Sequence, residues 1–207
     1  MTNLSDSVRQ LDEKIDEAAR VIKRGGVCVI PTETAYGLAA SIDFEEALKK
    51  IYLIKKRPFN KPLLILVQEL EQAPIEFSLI PDYAYKLMKK FWPGPLTLLL
   101  PAQKGTHYFL SGDTDRVGVR VSSHPVAAEL VKRVGGAITA TSANLSGAGL
   151  TKTVEQVKQQ LKEGPDYFLD AGQIAPGPSS TIVDCTSQSM TVVRVGAISP
   201  EDILAVG

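Results

Sequence analysis

Cysteine, tryptophan and histidine are scarce in this 207-residue sequence, at two, one and two copies. With only His107 and His124 available, a histidine-rich metal site is excluded and a Ser-His-Asp triad finds little support. Cys28 and Cys185 lie far apart in apolar surroundings without metal-ligand spacing, which fits reduced, packed thiols in a cytosolic protein. Net charge is missing as well: 23 basic residues stand against 23 acidic ones. No global field therefore recruits nucleic acid or an anionic membrane, and any anion site must be a local cluster. No apolar run reaches the length of a membrane helix, and the first twenty residues contain no signal-peptide core. Neither standard phosphate loop occurs, since G-x-x-x-x-G-K-[ST] is absent and no G-x-G-x-x-G follows a strand.

The apolar share is 44%, enough for one substantial core. Val8, Leu11, Ile15, Ala18 and Ile22 recur at helical spacing, and Gly25-Gly26 ends that helix before a buried strand at Val27 to Ile30. Asp43-x-x-Glu46 has the capping-box pattern and opens a helix that runs out at Pro58. Further helices are predicted from Pro81, over Pro125 to Val134, after the Thr153 cap, and from Ser199-Pro200. Strands are predicted at Leu63 to Val67, Leu96 to Leu100, Val117 to Val121, Ala137 to Thr141, around Tyr167, Thr181 to Cys185 and Thr191 to Val195. Eight or nine strands among about six helices, in mixed order, argue for one α/β domain over residues 1–207. Its expected architecture is a single twisted, open, mixed sheet with helices packed on it.

Six basic residues and no acid lie between Lys49 and Lys61, where a helix ends at a proline. Such a cluster suits phosphate oxygens, which need matched donors once water is excluded, and it equally suits a solvated helix end complementing the helix dipole. Three polar turns follow buried strands, at Pro31 to Thr34, Thr141 to Asn144 and Ser179 to Thr181. Small hydroxyls and an amide at strand ends suit amino-acid or nucleotide recognition, although each turn alone reads as ordinary turn chemistry. Arg120, in an apolar strand, must find an anion or carbonyls or else face solvent on an edge, and a ligand or a buried carboxylate is the expected partner. Arg194 poses the same question. His124, before Pro125, is expected to set a helix entry, and Trp92 to pack in the core.

Seven segments in order resemble the YrdC/TsaC family, the L-threonylcarbamoyladenylate synthases. They are Pro31-Thr32-Glu33-Thr34-Ala35-Tyr36-Gly37-Leu38, Lys55-Lys56-Arg57-Pro58 with Lys61-Pro62, Phe91-Trp92-Pro93-Gly94-Pro95-Leu96-Thr97, and Val117-Gly118-Val119-Arg120-Val121-Ser122-Ser123-His124-Pro125. Thr141-Ser142-Ala143-Asn144-Leu145-Ser146-Gly147, Ser179-Ser180-Thr181-Ile182-Val183-Asp184 and Arg194 complete the series.

The resemblance implies a fold with a basic concave cavity and a reaction in which N-carboxylated threonine, formed with bicarbonate or CO2, attacks the α-phosphate of ATP. Threonylcarbamoyl-AMP and pyrophosphate result, and a separate transferase then modifies the adenosine beside the anticodon of tRNA. By the same resemblance Lys55 and Arg57 are catalytic and hold phosphates, with Lys61 a helper. Ser142, Asn144 and Arg194 complete the ATP site, and Thr32, Arg120, Ala140 and Ser180 hold threonine. Mg2+ arrives with ATP, and no dedicated metal site is expected. Two departures stand out: Leu66 replaces a histidine of longer members, and Arg116 replaces a hydroxyl of some relatives. The extra C-terminal domain of longer members, with its linker lid, is expected to be absent. Alternatives are an RNA-binding module, a divergent paralogue with a different or weak adenylation activity, and the carbamoyl-transfer domain of hydrogenase maturation proteins, whose chains are far longer.

Overall fold

Alternation of apolar and polar residues at period two decides which face of each strand is buried, and it builds both the core and the cavity here. The computed structural model describes residues 4–162 and 164–206, so the expected domain limits at 1 and 207 lie outside the described residues. Ten strands occur among them: β1 (Cys28–Pro31), β2 (Tyr36–Ala39), β3 (Ile65–Leu66), β4 (Leu96–Pro101), β5 (Arg116–Arg120), β6 (Ile138–Thr139), β7 (Thr141–Ser142), β8 (Tyr167–Phe168), β9 (Thr181–Asp184) and β10 (Thr191–Arg194). The helices are α1 (Leu4–Lys23), α2 (Glu45–Lys55), α3 (Asp82–Phe91), α4 (Tyr108–Ser111), α5 (Pro125–Val134), α6 (Val154–Leu161) and α7 (Pro200–Leu204). No described helix is long and apolar enough to cross a membrane.

The mixed α/β class holds, with one refinement of the single-sheet expectation. The strands form two ladders, β7-β2-β1-β8 and β10-β9-β4-β5-β3-β6, with parallel and antiparallel pairs in each. One short segment joins them: β6 pairs with β3 in the six-stranded ladder, and β7, one residue later, pairs with β2 in the four-stranded one. Ala140 is the corner between them, its N–H bonded to the Leu64 carbonyl at 3.3 Å.

Leu96, Leu98 and Leu100 of β4, Val117 and Val119 of β5 and Val183 of β9 point into the main core. A second core lies under α1 and α5, where Ile15, Ala18, Ile22, Val126 and Leu130 pack on Cys28, Ile30 and Ile138. Leu66 is fully buried in that second core. Both thiols are free and buried, and burial raises each to about 12, so they are inert packing groups as expected. Trp92 packs partly buried against the main core and donates to the Leu96 carbonyl at 2.8 Å.

One cap differs from expectation. Phe44, not Asp43, is the N-cap of α2, and no side chain caps it, because Asp43 is instead held by the Ser41 hydroxyl at 3.0 Å. The caps of α6 and α7 are as read: Thr153 accepts from the Gln156 N–H and Ser199 from the Asp202 N–H. Strand β2 and the short α4 were not expected; β2 follows its polar turn too closely to read as a separate strand.

Candidate functional site

The face of the six-stranded ladder opposite its core is the floor of a cavity of about 510 Å³. Period two puts Thr97 and Leu99 of β4, Arg116, Gly118 and Arg120 of β5, and Ser180 and Ile182 beside and in β9 on that face. Gly118 keeps the floor low, because a Cβ there would meet the Leu64 Cβ at 3.2 Å. Above the floor stand three walls: the β1–β2 turn with Thr32 and Thr34, the stretch from Arg57 to Leu64, and the corner from Ala140 to Ser142. Arg194 of the edge strand β10 closes the remaining side.

Arg120 is 4% exposed and answers the question its strand posed, since its partner is a largely buried carboxylate. Its Nη2 lies 2.6 Å from Glu33 Oε1, an ion pair without the alignment of a hydrogen bond, and its Nε donates to the Gly94 carbonyl at 3.2 Å. Both terminal nitrogens also reach Thr34 Oγ1, at 3.3 and 3.4 Å. Glu33 accepts a further hydrogen bond from the Ser122 hydroxyl. Burial alone would raise the Glu33 carboxyl, but Arg120 and Ser122 outweigh it and hold the group below its ordinary value. Thr32 is buried and donates to the Ala35 carbonyl at 2.6 Å, while the Ser180 and Thr97 hydroxyls lie 3.0 Å apart across the floor. Hydroxyls and the Arg120 guanidinium thus share one end of the cavity, and Arg194 reaches the same end through Ser180.

The basic stretch divides because α2 ends in a left-handed residue. Lys56 takes φ 49° as the C-cap, so the chain reverses and its neighbours point to different places. Lys55 turns inward and is 1% exposed. Its ammonium donates to the Ser142 carbonyl, to the Asn144 carbonyl at 2.8 Å and to Asn144 Oδ1 at 3.2 Å. Burial, helped by the nearby Arg57 charge, lowers Lys55 to about 7. Three acceptors around one nitrogen match the three donors of the protonated form, so this geometry favours the charged state against that pull. Arg57 lines the cavity, its Nε bonded to the Lys61 carbonyl at 3.0 Å and its Nη2 to the Pro62 carbonyl at 2.9 Å.

Of the expected site residues, the cavity lining brings together Thr32, Arg57, Arg120, Ala140, Ser142, Ser180 and Arg194. Lys55 and Asn144 stand behind the Ser142 wall, where Asn144 Oδ1 accepts from the Ser142 hydroxyl at 2.6 Å. Lys61 is exposed and outside the lining, and only its carbonyl takes part, holding Arg57 and the Tyr52 hydroxyl. Arg194 donates to the Ser180 carbonyl at 2.8 and 3.1 Å and to the Ser180 hydroxyl at 3.0 Å, fixing that residue at the floor. Lys49 and Lys50 are tied to acids, Lys49 to Glu45 and Glu46 at 2.8 Å and Lys50 to Asp166 at 2.6 Å. Leu66 is outside the lining.

Sequence reasoning gave no role to Glu33, although it sits between two site hydroxyls in a turn already singled out. It also passed over Lys152, whose ammonium bridges the Thr34 carbonyl and, at 3.0 Å, the Gly177 carbonyl. That bridge clamps the β1–β2 turn to the loop leading into Ser179 and Ser180, and nothing in its local sequence signals it. Among the described lining residues Asp113 is the single carboxylate, and the described residues hold no group of three or more side chains suited to a metal. An oxygen-bound cation in this cavity would take most of its ligands from phosphates and water, as Mg2+ does beside nucleotides.

The Sua5/YciO/YrdC family model, described as telomere recombination, matches residues 20–196. A Pyrococcus abyssi protein named threonylcarbamoyl-AMP synthase is 35% identical over 204 residues, covering 98% of this chain and 60% of that protein. A Mycobacterium tuberculosis protein named putative threonylcarbamoyl-AMP synthase is 34% identical over 197 residues, covering 95% and 90%. The crystal structure of P. abyssi Sua5 complexed with L-threonine is similar at a TM-score of 0.88 and 35% identity, over 94% of this chain and 57% of that one. The chain thus spans about 60% of the length of the P. abyssi relative. On its ordered motifs, its fold and a match over most of its length, the chain belongs to the Sua5/YciO/YrdC family.

Proposed function

We propose that this protein is a threonylcarbamoyl-AMP synthase, joining L-threonine, bicarbonate or CO2, and ATP into threonylcarbamoyl-AMP with release of pyrophosphate. The observation that carries the reading is the two-ended cavity: the buried Arg120 guanidinium among hydroxyls at one end, with Arg194 beside it on Ser180, and Arg116 at the other end of the floor strand, with Arg57 on the wall. An amino-acid carboxylate and a polyphosphate are the two anions the reaction must hold apart and in line. Similarity to relatives bearing that name supports the same assignment.

In this reading Arg120 receives the threonine carboxylate, with Thr32, Ser180 and the backbone at Ala140 shaping the pocket around the side chain. Glu33 sets the aim of Arg120 and keeps the empty guanidinium from being an unpaired buried charge. The threonine carbamate oxygen forms a bond to the α-phosphorus while the bond to the bridging oxygen breaks, and its electron pair leaves with pyrophosphate. The attacking carbamate oxygen is already anionic, so this step needs no protein base. The barrier falls because fixed cations meet the charge that develops on the phosphoryl oxygens, a role for Arg57 and Arg194. Ser142 contacts the nucleotide, and Lys55 and Asn144 hold it in place from behind. Mg2+, entering on ATP, supplies charge neutralisation of the phosphates. The product passes in the cytoplasm to a separate transferase that acts on tRNA. Zero net charge, and the pairing of Lys49 and Lys50 with acids, weigh against RNA binding as the main role.

Pyrophosphate release from ATP by the purified protein, with and without L-threonine and bicarbonate, tests the reading. Release that requires both is expected; release indifferent to threonine rejects it.

A further inference from the structure

Lys152 stands between the two segments that carry the hydroxyls of the amino-acid end, and its backbone is tied to both. The Thr151 carbonyl, one residue earlier, accepts from the Tyr36 N–H at 2.9 Å. The Lys152 carbonyl accepts from the Ile174 N–H at 2.8 Å. Thr151 is fully buried and donates its hydroxyl to the Ala143 carbonyl at 3.0 Å, so this post is rigid. The Lys152 side chain repeats the bridge nearer the cavity. Its ammonium donates to the Thr34 carbonyl, two residues before Tyr36, and at 3.0 Å to the Gly177 carbonyl, three residues after Ile174.

The segments on either side depend on that side-chain bridge. Residues 175–178 are exposed, and among the described residues their one hydrogen bond is the one from Lys152. Pro176 and Pro178 offer no N–H of their own. This segment leaves β8 of the four-stranded ladder and delivers Ser180 at the start of β9 in the six-stranded one. On the other side, Thr34 Oγ1 lies 3.2 Å from Thr32 Oγ1 and within reach of both terminal nitrogens of Arg120. No ladder bond ties the β1–β2 turn to the segment before Ser180. Burial shifts Lys152 below its ordinary value, and its donors go to backbone carbonyls rather than to an acid.

We propose that Lys152 is a positioning residue for the amino-acid end of the cavity. Its ammonium fixes the β1–β2 turn, with Thr32, at one spacing from the segment that delivers Ser180. The proposal rests on the adenylation reading above, which puts threonine between those two residues. A small amino acid makes few contacts, so its affinity depends on walls held to within about 0.5 Å. Arg57 and Ser142, on the other walls, are held by bonds that do not pass through this bridge.

The test compares wild type, Lys152→Met and Lys152→Gln in binding of L-threonine and of ATP, in steady-state pyrophosphate release, and in thermal unfolding. Methionine removes both bonds at similar length. Glutamine is too short to span both carbonyls and guards, as a polar side chain, against a folding defect in the first variant. In each, the threonine Kd and KM are expected to rise about tenfold or more, with ATP binding within about twofold of wild type. Equal losses for threonine and ATP, or unchanged threonine binding with a lower unfolding temperature, would make Lys152 a brace of the fold and overturn the proposal. The two readings fail separately. A wild type with threonine-dependent turnover, and variants with an unchanged threonine KM, defeat only the proposal. Selective loss of threonine binding in a protein that binds threonine and ATP without joining them defeats the adenylation reading and retains the positioning role.

Discussion

The Lys55 ammonium lies 2.8 Å from the Asn144 carbonyl and 3.2 Å from Asn144 Oδ1, so this cation of the basic stretch holds the Ser142 wall of the cavity from behind. Replacing Lys55 by Met keeps most of its volume and strands the Asn144 carbonyl, while the Ser142 carbonyl and Asn144 Oδ1 each lose one of two donors. The expected outcome is a loss of about 1–3 kcal/mol in urea unfolding together with at least tenfold slower pyrophosphate release. Slower turnover at unchanged stability would mean that Lys55 touches phosphate directly.

Arg57 should behave differently. It is half-buried on the cavity wall, and its two backbone bonds are to carbonyls that border solvent. Arg57→Ala is expected to lower turnover by about a hundredfold or more while shifting stability by no more than about 1 kcal/mol. Steady-state rates and thermal unfolding of the same preparation read both quantities.

Arg120 and Glu33 form a pair whose members should separate kinetically. Arg120→Lys keeps the charge and loses the fork, so the threonine KM should rise about tenfold or more with the ATP KM little changed. Glu33→Gln leaves Arg120 without its counter-charge and should raise the same KM less. Equal effects on ATP and threonine would refute placing the amino acid at this end.

Acid should weaken the fold in two stages. Burial keeps His124 below its ordinary 6.5, although the Glu33 charge opposes this, and Arg120 and Ser122 keep Glu33 below 4.5 despite burial. In both cases the unfolded chain binds more protons over the window between the two pKa values. Stability is therefore full above the unfolded value and is lost as pH falls. Urea midpoints should decline below about pH 6.5 and more steeply below about 4.5, and His124→Phe should remove the first stage only. A wild-type midpoint flat from pH 7 to 5 contradicts the His124 component.

Period and punctuation made much of the fold legible. The α5 limits, the Thr153 and Ser199 caps and the alternation in β4 and β5 all follow local rules. Sequence could not show that residues 138 to 142 change ladders at Ala140, because the corner is set by which strands flank it rather than by any breaker residue. For the site, the turns and the two arginines of β5 were visible, and their union on one floor face follows from period two alone. What stayed hidden were long-range partners. The Glu33 carboxylate under Arg120, the Lys152 bridge to Gly177 and the inward turn of Lys55 depend on chain reversals and contacts dozens of residues away. The Asp43 capping box failed for a related reason: Ser41, two residues earlier, claimed the carboxylate first.

The most direct measurement supplies L-threonine, ¹³C-bicarbonate and ATP together and resolves the nucleotide products by mass. The account predicts one adenylate containing threonine and the labelled carbon, formed in step with pyrophosphate. Pyrophosphate without that adenylate, or an adenylate lacking the label, would contradict it.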